Sequence, residues 1–177
     1  MALESDAAAP PLEGAARDRV FQRELVTLIP HLRAFARTLT GDATAADDLA
    51  QDAMIKAWDA RASFQLGTNM KAWTFMILRN QFYSDKRRSW RSTQLDQEAA
   101  ERTLVAIDDP GSPLALDELR LAMAMLPLEQ REALILVGAG GFAYEEAADI
   151  CGCAVGTVKS RVSRARKATQ AILDAGS

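Results

Sequence analysis

The sequence predicts an all-α protein of two small helical domains joined by a flexible acidic linker. Apolar residues recur at spacings of three and four, no stretch alternates apolar and polar residues as a half-buried strand would, and the pattern lapses once, in an acidic segment rich in turn residues. That segment ends in the cluster Asp-Asp-Pro-Gly-Ser-Pro. We therefore divide the chain into a flexible N-terminal arm (1–16), a first domain (17–93), the linker (94–113) and a second domain (114–174).

The first domain is predicted to open with a bent pair of helices. One apolar stripe, with alternating spacings of four and three, runs through Phe21, Leu25, Leu28, Leu32, Phe35 and Leu39. Pro30 falls inside this stripe and should bend or break it, because proline removes a helical hydrogen bond. Gly41 should end the second helix of the pair.

A helix with two contrasting faces is predicted next, from about Ala43 to Ala60. Its inward face carries Ala46, Leu49, Ala53 and Ala57. Its outward face carries Asp47, Asp48, Gln51 and Asp52. Asp48 and Asp52 stand one turn apart, where like charges repel slightly, so this face is either solvated surface or the docking surface for a basic partner.

A loop and a long helix complete the first domain. The loop, residues 62–69, is rich in Ser, Gly, Thr and Asn, and the helix runs from about Met70 to Ser89. The helix interleaves aromatic and basic residues, a mixture that single-stranded nucleic acid binding uses. Aromatic residues at helical spacing also form cores, so we expect Trp73 and Phe82 to pack inside, with the cationic end facing nucleic acid.

The second domain is predicted to contain four helices, at about 114–125, 128–137, 142–151 and 155–173. The last two are separated by a turn at Gly152 and have the pattern of a helix-turn-helix, in which small alanines let the helices approach closely. The final helix should bury its valines. On or beside its opposite face it carries Lys159, Ser160, Arg161, Ser163, Arg164 and Arg166. Such a face reads base edges when the helix enters the major groove.

The net charge of −3 conceals an uneven distribution. Residues 20–93 hold eleven Lys and Arg against seven Asp and Glu, and residues 150–173 hold five bases and no acid. The acids concentrate in residues 1–19 and 94–115. Because screened fields reach only about 8 Å at physiological salt, a local patch matters more to a phosphate than the global sum. The slight acidity therefore does not exclude a nucleic-acid partner.

The residues of metal and disulfide chemistry are scarce. Cys151 and Cys153 are the only cysteines and His31 is the only histidine, too few for a disulfide framework or a four-ligand zinc site. We predict no metal, no cofactor and no catalytic residue, and we expect the cysteines to be small turn residues. Because the sequence has no apolar run of 18 residues and no signal-peptide pattern, we expect a soluble, cytoplasmic protein that uses neither a membrane nor a small-molecule ligand.

Three blocks of sequence, in this order, resemble the group IV (extracytoplasmic function) sigma factors of bacterial RNA polymerase. ADDLAQDAMIKAW is similar to sigma region 2.2, AWTFMILRN with its basic tail to regions 2.3 and 2.4, and LPLEQREALILVGAGGFAYEEAADICGCAVGTVKSRVSRARK to region 4. Further stretches, such as LIPHLRAFARTL, resemble the EcfG type, the general stress response sigma factors. Ala154 departs from the proline that many relatives have before the recognition helix.

The resemblance implies binding roles for three groups of residues. The coiled coil of the largest subunit of core RNA polymerase would dock on Asp48, Leu49, Gln51 and Asp52. The minus-10 promoter element, including a flipped base received by the 62–69 loop, would be bound by Phe64, Gln65, Asn69, Arg79, Asn80, Lys86, Arg87 and Arg88. The minus-35 element would be bound by Lys159, Ser160, Arg161, Ser163, Arg164 and Arg166. The two domains would then be sigma region 2 and sigma region 4.

The resemblance also implies a regulatory partner, a NepR-like anti-sigma factor that is itself bound by a PhyR-like response regulator. The protein would be a non-catalytic specificity subunit that promotes transcription initiation. Two other classes stay open at this point: a free-standing helix-turn-helix regulator, which would bind palindromic DNA without polymerase, and a nucleic-acid enzyme such as a recombinase, which would need a nucleophile or carboxylate cluster. The sequence does not decide whether the two domains touch in the free protein.

Overall fold

The computed structural model describes residues 14–93 and 114–176, and both segments are helical apart from short turns. The helices are α1 (Gly14–Thr27), α2 (Ile29–Thr40), α3 (Ala43–Asp59), α4 (Met70–Thr93), α5 (Leu114–Ala124), α6 (Leu128–Val137), α7 (Tyr144–Cys151) and α8 (Val155–Gly176), with a 3-10 turn at Arg61–Ser63. Neither described segment contains a strand, which confirms the all-α fold class. None of these helices combines the length and apolar character needed to cross a membrane.

The predicted arm and linker fall largely outside the described residues, which exclude 1–13 and 94–113. At their borders the helices are longer than predicted. α1 begins at Gly14, before the predicted end of the arm, because Ala15 and Ala16 are strong helix formers. α4 continues from Ser89 to Thr93.

The bent helix pair divides at Leu28, two residues before the proline that was expected to divide it. Pro30 is the second residue of α2, a position where the missing backbone N–H has no helical partner in any case. Gly41 ends α2 in the left-handed conformation (φ 72°), and its N–H donates to the carbonyl of Arg37. Asp42 then caps α3, since its carboxylate accepts a hydrogen bond of 2.7 Å from the backbone N–H of Ala45.

A small aromatic core fastens α1 to the loop before α4. The ring of Phe21, fully buried, lies 5.8 Å from the ring of Phe64 and 6.1 Å from that of Trp73. The guanidinium of Arg17 also binds α1 to this loop, because its Nη2 donates to the carbonyls of Arg61 (2.8 Å) and Phe64 (2.5 Å). The loop therefore has a fixed inner wall. Trp73 packs against this core as predicted.

A larger core runs without interruption through both predicted domains. It includes Leu32, Phe35 and Leu78 from the first domain and Leu136, Ile150 and Val158 from the second. The ring of Phe75 joins them, stacking on Phe35 at 4.8 Å and meeting the edge of Phe142 at 5.1 Å. Phe82 packs against this core, as the sequence predicted. The two domains are thus in contact, with α4 lying against α7, and α2 against α6.

Candidate nucleic-acid interface

The helix-turn-helix is formed by α7, a three-residue turn and α8. Gly152 makes the turn possible, because it adopts a left-handed conformation (φ 63°, ψ 40°) that a residue with a Cβ takes only with strain. Its N–H donates to the carbonyls of Ala148 and Asp149. The N-terminus of α7 is held by Glu146, whose Oε2 accepts a 2.9 Å hydrogen bond from the N–H of Ala143. This bond starts α7 at Tyr144 and leaves Phe142 in the core, before the helix.

The turn cysteines behave as structural residues. Burial raises the pKa of Cys151 to about 12, so its thiol stays protonated at neutral pH and is a poor nucleophile. Cys153 is half-buried, and its Sγ accepts a long contact of 3.9 Å from Nη1 of Arg161.

The buried face of α8 is the one predicted from periodicity, whereas the predicted exposed face is exposed only in part. Val158, Val162 and Ala165 are at most 1% exposed. Among the predicted minus-35 residues, the exposed ones are Lys159, Ser163, Arg164 and Arg166. Ser160 and Arg161 are half-buried, and the hydroxyl of Ser160 donates to the carbonyl of Thr157. Although Ala154 lacks the fixed φ of proline, its carbonyl accepts from the N–H groups of Thr157 and Val158, and the helix begins normally.

The predicted minus-10 residues of the 62–69 loop divide between core and surface. The ring of Phe64 is 5% exposed and belongs to the aromatic core, so it supports the loop from inside. Gln65 is exposed. Asn69 is also exposed and stands before α4, where its Oδ1 accepts a 3.0 Å hydrogen bond from the N–H of Ala72.

Arg79, halfway along α4, is engaged by the second domain. Its Nε lies 2.5 Å from Oε1 of Glu132 on α6, and its Nη2 lies 3.3 Å from Oε2. The hydroxyl of Tyr83 donates to the same Oε2 at 3.3 Å, and the Arg79 guanidinium sits 4.5 Å from the centre of the Tyr83 ring. A bidentate ion pair, with the Tyr83 ring packed on its guanidinium, therefore connects the two domains.

This cluster is shielded from water. The side chain of Glu132 is fully buried and that of Arg79 is 15% exposed. Burial raises the pKa of Glu132, against the opposing effect of the Arg79 hydrogen bonds and charge. Burial also raises the pKa of Tyr83 to about 12, so Tyr83 remains a donor to the carboxylate. For Arg79, burial lowers the pKa, but the bonds and charge of Glu132 outweigh it and leave the pKa raised.

Two further polar contacts join the beginning of α4 to the second domain. Nδ2 of Asn69 donates to Oε1 of Glu146 at 2.6 Å. Nζ of Lys71 donates to the carbonyl of Gly140 at 2.7 Å and lies 5.1 Å from the centre of the Phe142 ring. Oxygen atoms of the second domain thus accept hydrogen bonds from three side chains of the first domain, those of Asn69, Lys71 and Arg79.

The remaining predicted minus-10 residues lie on the exposed part of α4. Asn80, Lys86 and Arg87 are exposed. Arg88 is exposed too, but its Nη2 pairs with Oδ1 of Asp85 one turn earlier.

The acidic face of α3 forms a separate surface. Asp48, Gln51 and Asp52 are exposed, whereas Leu49, predicted in the same group, is 6% exposed and lies in the large core. Asp47 is engaged, because its two carboxylate oxygens accept from Arg33 at 2.7 and 2.8 Å. On this face the exposed acids available to a partner are therefore Asp48 and Asp52.

Three partners from the second domain were not predicted from the sequence: Glu132, Glu146 and Gly140. Glu132 left one signal, since it stands between Leu128 and Leu136 on a single apolar stripe of α6, where a charge needs a buried partner. At Gly140 a Cβ would meet the carbonyl oxygen of Leu136 at 2.5 Å, a close approach that only the structure reveals.

The fold and these surfaces define a class of protein: a two-part helical DNA-binding protein with a C-terminal helix-turn-helix. Comparison with known proteins makes the class specific. Residues 25–92 match the family model for sigma-70 region 2, and residues 116–168 match that for sigma-70, region 4. The ECF RNA polymerase sigma factor EcfG of Rhodopseudomonas palustris (strain TIE-1) is 47% identical over 163 residues, which cover 92% of this chain and 87% of that protein.

Solved structures agree. The sigma factor RpoE, in its complex with the anti-sigma factor NepR from Bartonella quintana, matches with a TM-score of 0.80 and 46% identity, covering 88% of this chain and 98% of that one. CnrH, in complex with the cytosolic domain of CnrY, matches with a TM-score of 0.63 and 28% identity, covering 92% and 96%. The chain belongs to the ECF RNA polymerase sigma factors of the sigma-70 family.

The buried ion pair makes a testable contribution to stability. Arg79→Met leaves the buried Glu132 carboxylate without its ion partner and should lower the free energy of unfolding by about 3 kcal/mol, because an unpaired buried charge is costly. The double variant Arg79→Met, Glu132→Gln should lose less than the sum of the single variants, with a coupling of about 0.5 to 3 kcal/mol from urea unfolding.

The matched control for this cycle is the exposed pair of Arg33 and Asp47, whose side chains are 56% and 51% exposed. The variants Arg33→Met and Asp47→Asn should give a much smaller coupling than the buried pair, because solvent screens an exposed ion pair. Equal couplings in the two cycles would show that burial of the Arg79 pair adds nothing.

Proposed function

We propose that this chain is a promoter-specificity subunit of RNA polymerase, itself non-catalytic, that binds the core enzyme and promotes initiation at general stress response promoters under anti-sigma control. The observation that carries the proposal is the presence, on one chain of this family, of an exposed cationic face on α8 and an exposed acidic face on α3. We assign residues 17–93 to sigma region 2 and 114–174 to sigma region 4, with 94–113 as the linker.

Recognition of the minus-35 element is assigned to α8. Its buried valines fix the helix against α6 and α7, so the opposite face is held rigidly for the major groove. Lys159, Ser163 and Arg164 are exposed there and can reach base edges, whereas Arg166 is better suited to phosphate. The half-buried Arg161 and Ser160 lie at the border of this face and would contact DNA only at its edge.

Recognition of the minus-10 element is assigned to the 62–69 loop and α4. Gln65 is exposed on a loop whose inner wall is held by Phe64 and Arg17, which gives an extracted base a preformed site. Asn69 caps α4 at the end of this loop, and Arg79 and Asn80 follow about 14 Å further along the helix. Binding energy from these groups offsets the few kcal/mol that base extraction costs.

This role requires the two domains to separate. Glu132 holds the Arg79 guanidinium and Glu146 holds the Asn69 amide, so neither group is available to DNA while the domains are packed. We propose that the described arrangement is the inactive one and that core polymerase, by binding each domain separately, stabilises an open arrangement. The minus-35 face of α8 is already exposed, so its binding to DNA does not require the domains to separate.

Docking on core polymerase is assigned to the α3 face formed by Asp48, Gln51 and Asp52, with Leu49 supporting it from the core. The two aspartates repel one another, and a basic partner on the coiled coil of the largest polymerase subunit would relieve that repulsion.

Regulation is assigned by similarity to the Bartonella quintana sigma factor that is in complex with NepR. We propose a NepR-like anti-sigma factor as a partner of this chain, and a PhyR-like response regulator that binds the anti-sigma factor and releases the chain. A partner that bridges the two packed domains would keep Arg79 and Glu132 together.

The proposed function is tested by transcription with purified components. The chain added to core RNA polymerase should produce promoter-dependent transcripts that core enzyme alone does not make. Promoters with a scrambled minus-35 or minus-10 element should lose this activity. Specific binding of the chain to palindromic DNA, combined with no transcript when core polymerase is present, would support the free-standing regulator instead.

Arg164 should contribute to sequence-specific recognition of the minus-35 element. Arg164→Ala should weaken holoenzyme binding to cognate DNA by about 1 to 3 kcal/mol relative to scrambled minus-35 DNA, because the exposed guanidinium faces a base edge. Competition binding measures both affinities. Arg166→Ala is the matched control and should weaken binding to both DNAs alike. If Arg164→Ala also affects the two DNAs equally, Arg164 contacts only phosphate.

Reversal of charge on α3 should weaken assembly with core polymerase. The variant Asp48→Lys, Asp52→Lys should raise the dissociation constant for the core enzyme at least tenfold, about 1.4 kcal/mol, because it places two cations against a basic partner. Glu24→Lys with Glu118→Lys makes the same change in net charge at exposed positions outside this face and should bind normally. If the charge-reversed variant binds core polymerase as tightly as the parent, Asp48 and Asp52 are solvated surface residues with no docking role.

A further inference from the structure

Lys159, on the exposed face of α8, lies over an aromatic ring of the neighbouring helix. Its Nζ is 5.6 Å from the centre of the Tyr144 ring. A separation below about 6 Å is that of a cation–π contact. Because the ring carries no net charge, it restrains the ammonium without neutralising it. Arg79, by contrast, is paired with the opposite charge of Glu132.

The Tyr144 ring is itself held in place. Tyr144 is the first residue of α7, and the hydrogen bond from the N–H of Ala143 to Oε2 of Glu146 fixes this helix start. The ring is half-buried and packs against the large core. The small side chains of Ala147 and Ala148 are buried, so α7 and α8 can approach closely. The ring is therefore a rigid support beside the second turn of α8.

The other exposed cations of the predicted minus-35 group have no such support. Among residues 14–93 and 114–176, neither Arg164 nor Arg166 forms an ion pair or a cation–π contact. Ordering such a long side chain on binding costs conformational entropy. Lys159 also has no ion pair in these segments, so its charge is available to DNA, but the ring has already reduced its freedom.

We propose that Tyr144 is a positioning residue for minus-35 recognition, whose ring holds the Lys159 ammonium in the orientation in which it donates to a base edge. The inference rests on the proposed function, because it takes α8 as the helix that enters the major groove. It gives α7 a part in sequence recognition in addition to its packing against α8. A lysine needs such help, since its ammonium is a point charge on a flexible stem.

The proposal predicts a loss of discrimination more than a loss of affinity. A positioned lysine can donate to the O6 and N7 acceptors of guanine. A lysine released from the ring keeps its charge and can turn to a phosphate, which carries no sequence information directly. Removal of the Tyr144 ring should therefore reduce the preference for the cognate sequence and leave binding to other sequences almost unchanged.

The test measures binding of the holoenzyme to cognate and to scrambled minus-35 DNA by competition. Tyr144→Leu removes the π surface and should lower the ratio of the two affinities about 2-fold to 5-fold, the equivalent of about 0.5 to 1 kcal/mol for a cation–π contact at an exposed site. Tyr144→Phe keeps the ring and should keep the ratio of the parent.

A double-mutant cycle assigns the effect to Lys159. In a Lys159→Met chain, Tyr144→Leu should cause no further loss of the ratio, whereas in an Arg164→Ala chain it should cause its full loss. The Arg164→Ala chain is the matched control, because Arg164 is also an exposed cation of α8 but forms no cation–π contact in the part of the chain that the structure describes. A loss of packing around Tyr144 would appear equally in both chains.

The contact itself can be measured in the full chain without DNA or polymerase. An aromatic ring shifts the NMR signals of protons above its face upfield. The side-chain methylene protons next to Nζ of Lys159 should therefore resonate upfield of those of the exposed Lys167. This difference should persist in Tyr144→Phe and vanish in Tyr144→Leu.

The proposal is overturned if Tyr144→Leu lowers the ratio equally in the parent and Lys159→Met chains, or if it weakens binding to both DNAs alike. It is also overturned if Tyr144→Phe loses as much as Tyr144→Leu, since the hydroxyl would then contact DNA directly. Each of these results leaves promoter-dependent transcription by the parent intact and so removes this inference alone. A parent holoenzyme that makes no promoter-dependent transcript and does not distinguish the two DNAs removes the proposed function, and this inference with it.

Discussion

The buried pair of Arg79 and Glu132 is the constraint on which the arrangement of the two domains depends. Glu132 is sealed from water, so its carboxylate requires the guanidinium and the Tyr83 hydroxyl for as long as the domains are packed. Such a pair adds little net stability, because both charges lose their hydration, but it penalises any packing in which they fail to meet. Separation of the domains returns both charges to water. The pair therefore fixes the register of a closed state without making that state hard to leave.

The same chemistry connects structure to the proposed function. Oxygen atoms of the second domain engage the amide of Asn69, the ammonium of Lys71 and the guanidinium of Arg79, all on or beside the first half of α4. Nucleic acid would present oxygen atoms to the same donors. The second domain and the minus-10 strand thus compete for one set of groups, and any ligand with higher affinity for the separated domains shifts the balance by that difference in affinity.

The periodicity of apolar residues predicted which face of each helix is buried. The valine face of α8, the alanine face of α3 and the turn at Gly152 follow from spacing and from the conformational freedom of glycine. Spacing does not reveal partners from elsewhere in the chain: Arg79 and Glu132 are 53 residues apart across the linker. The resemblance to a known family implied which residues bind a partner, but it did not show which of them are buried. Leu49 and Phe64, which the resemblance placed on binding surfaces, lie in the cores. A charge on an apolar stripe, as at Glu132, was the one local sign of an interdomain contact.

The contact between the domains explains part of the uneven distribution of charge. The net charge is −3, yet Glu132 offsets the Arg79 cation of α4, and Glu146 accepts a hydrogen bond from the neutral amide of Asn69, just before α4. On α8, Arg161 lies within electrostatic reach of Glu132, whereas Lys159, Arg164 and Arg166 have no ion-pair partner among the described residues. In the proposed function this imbalance sets an order of events, because the closed chain can bind the duplex at minus-35. Arg79 and Asn69 become available only after the domains part, so minus-10 recognition comes last.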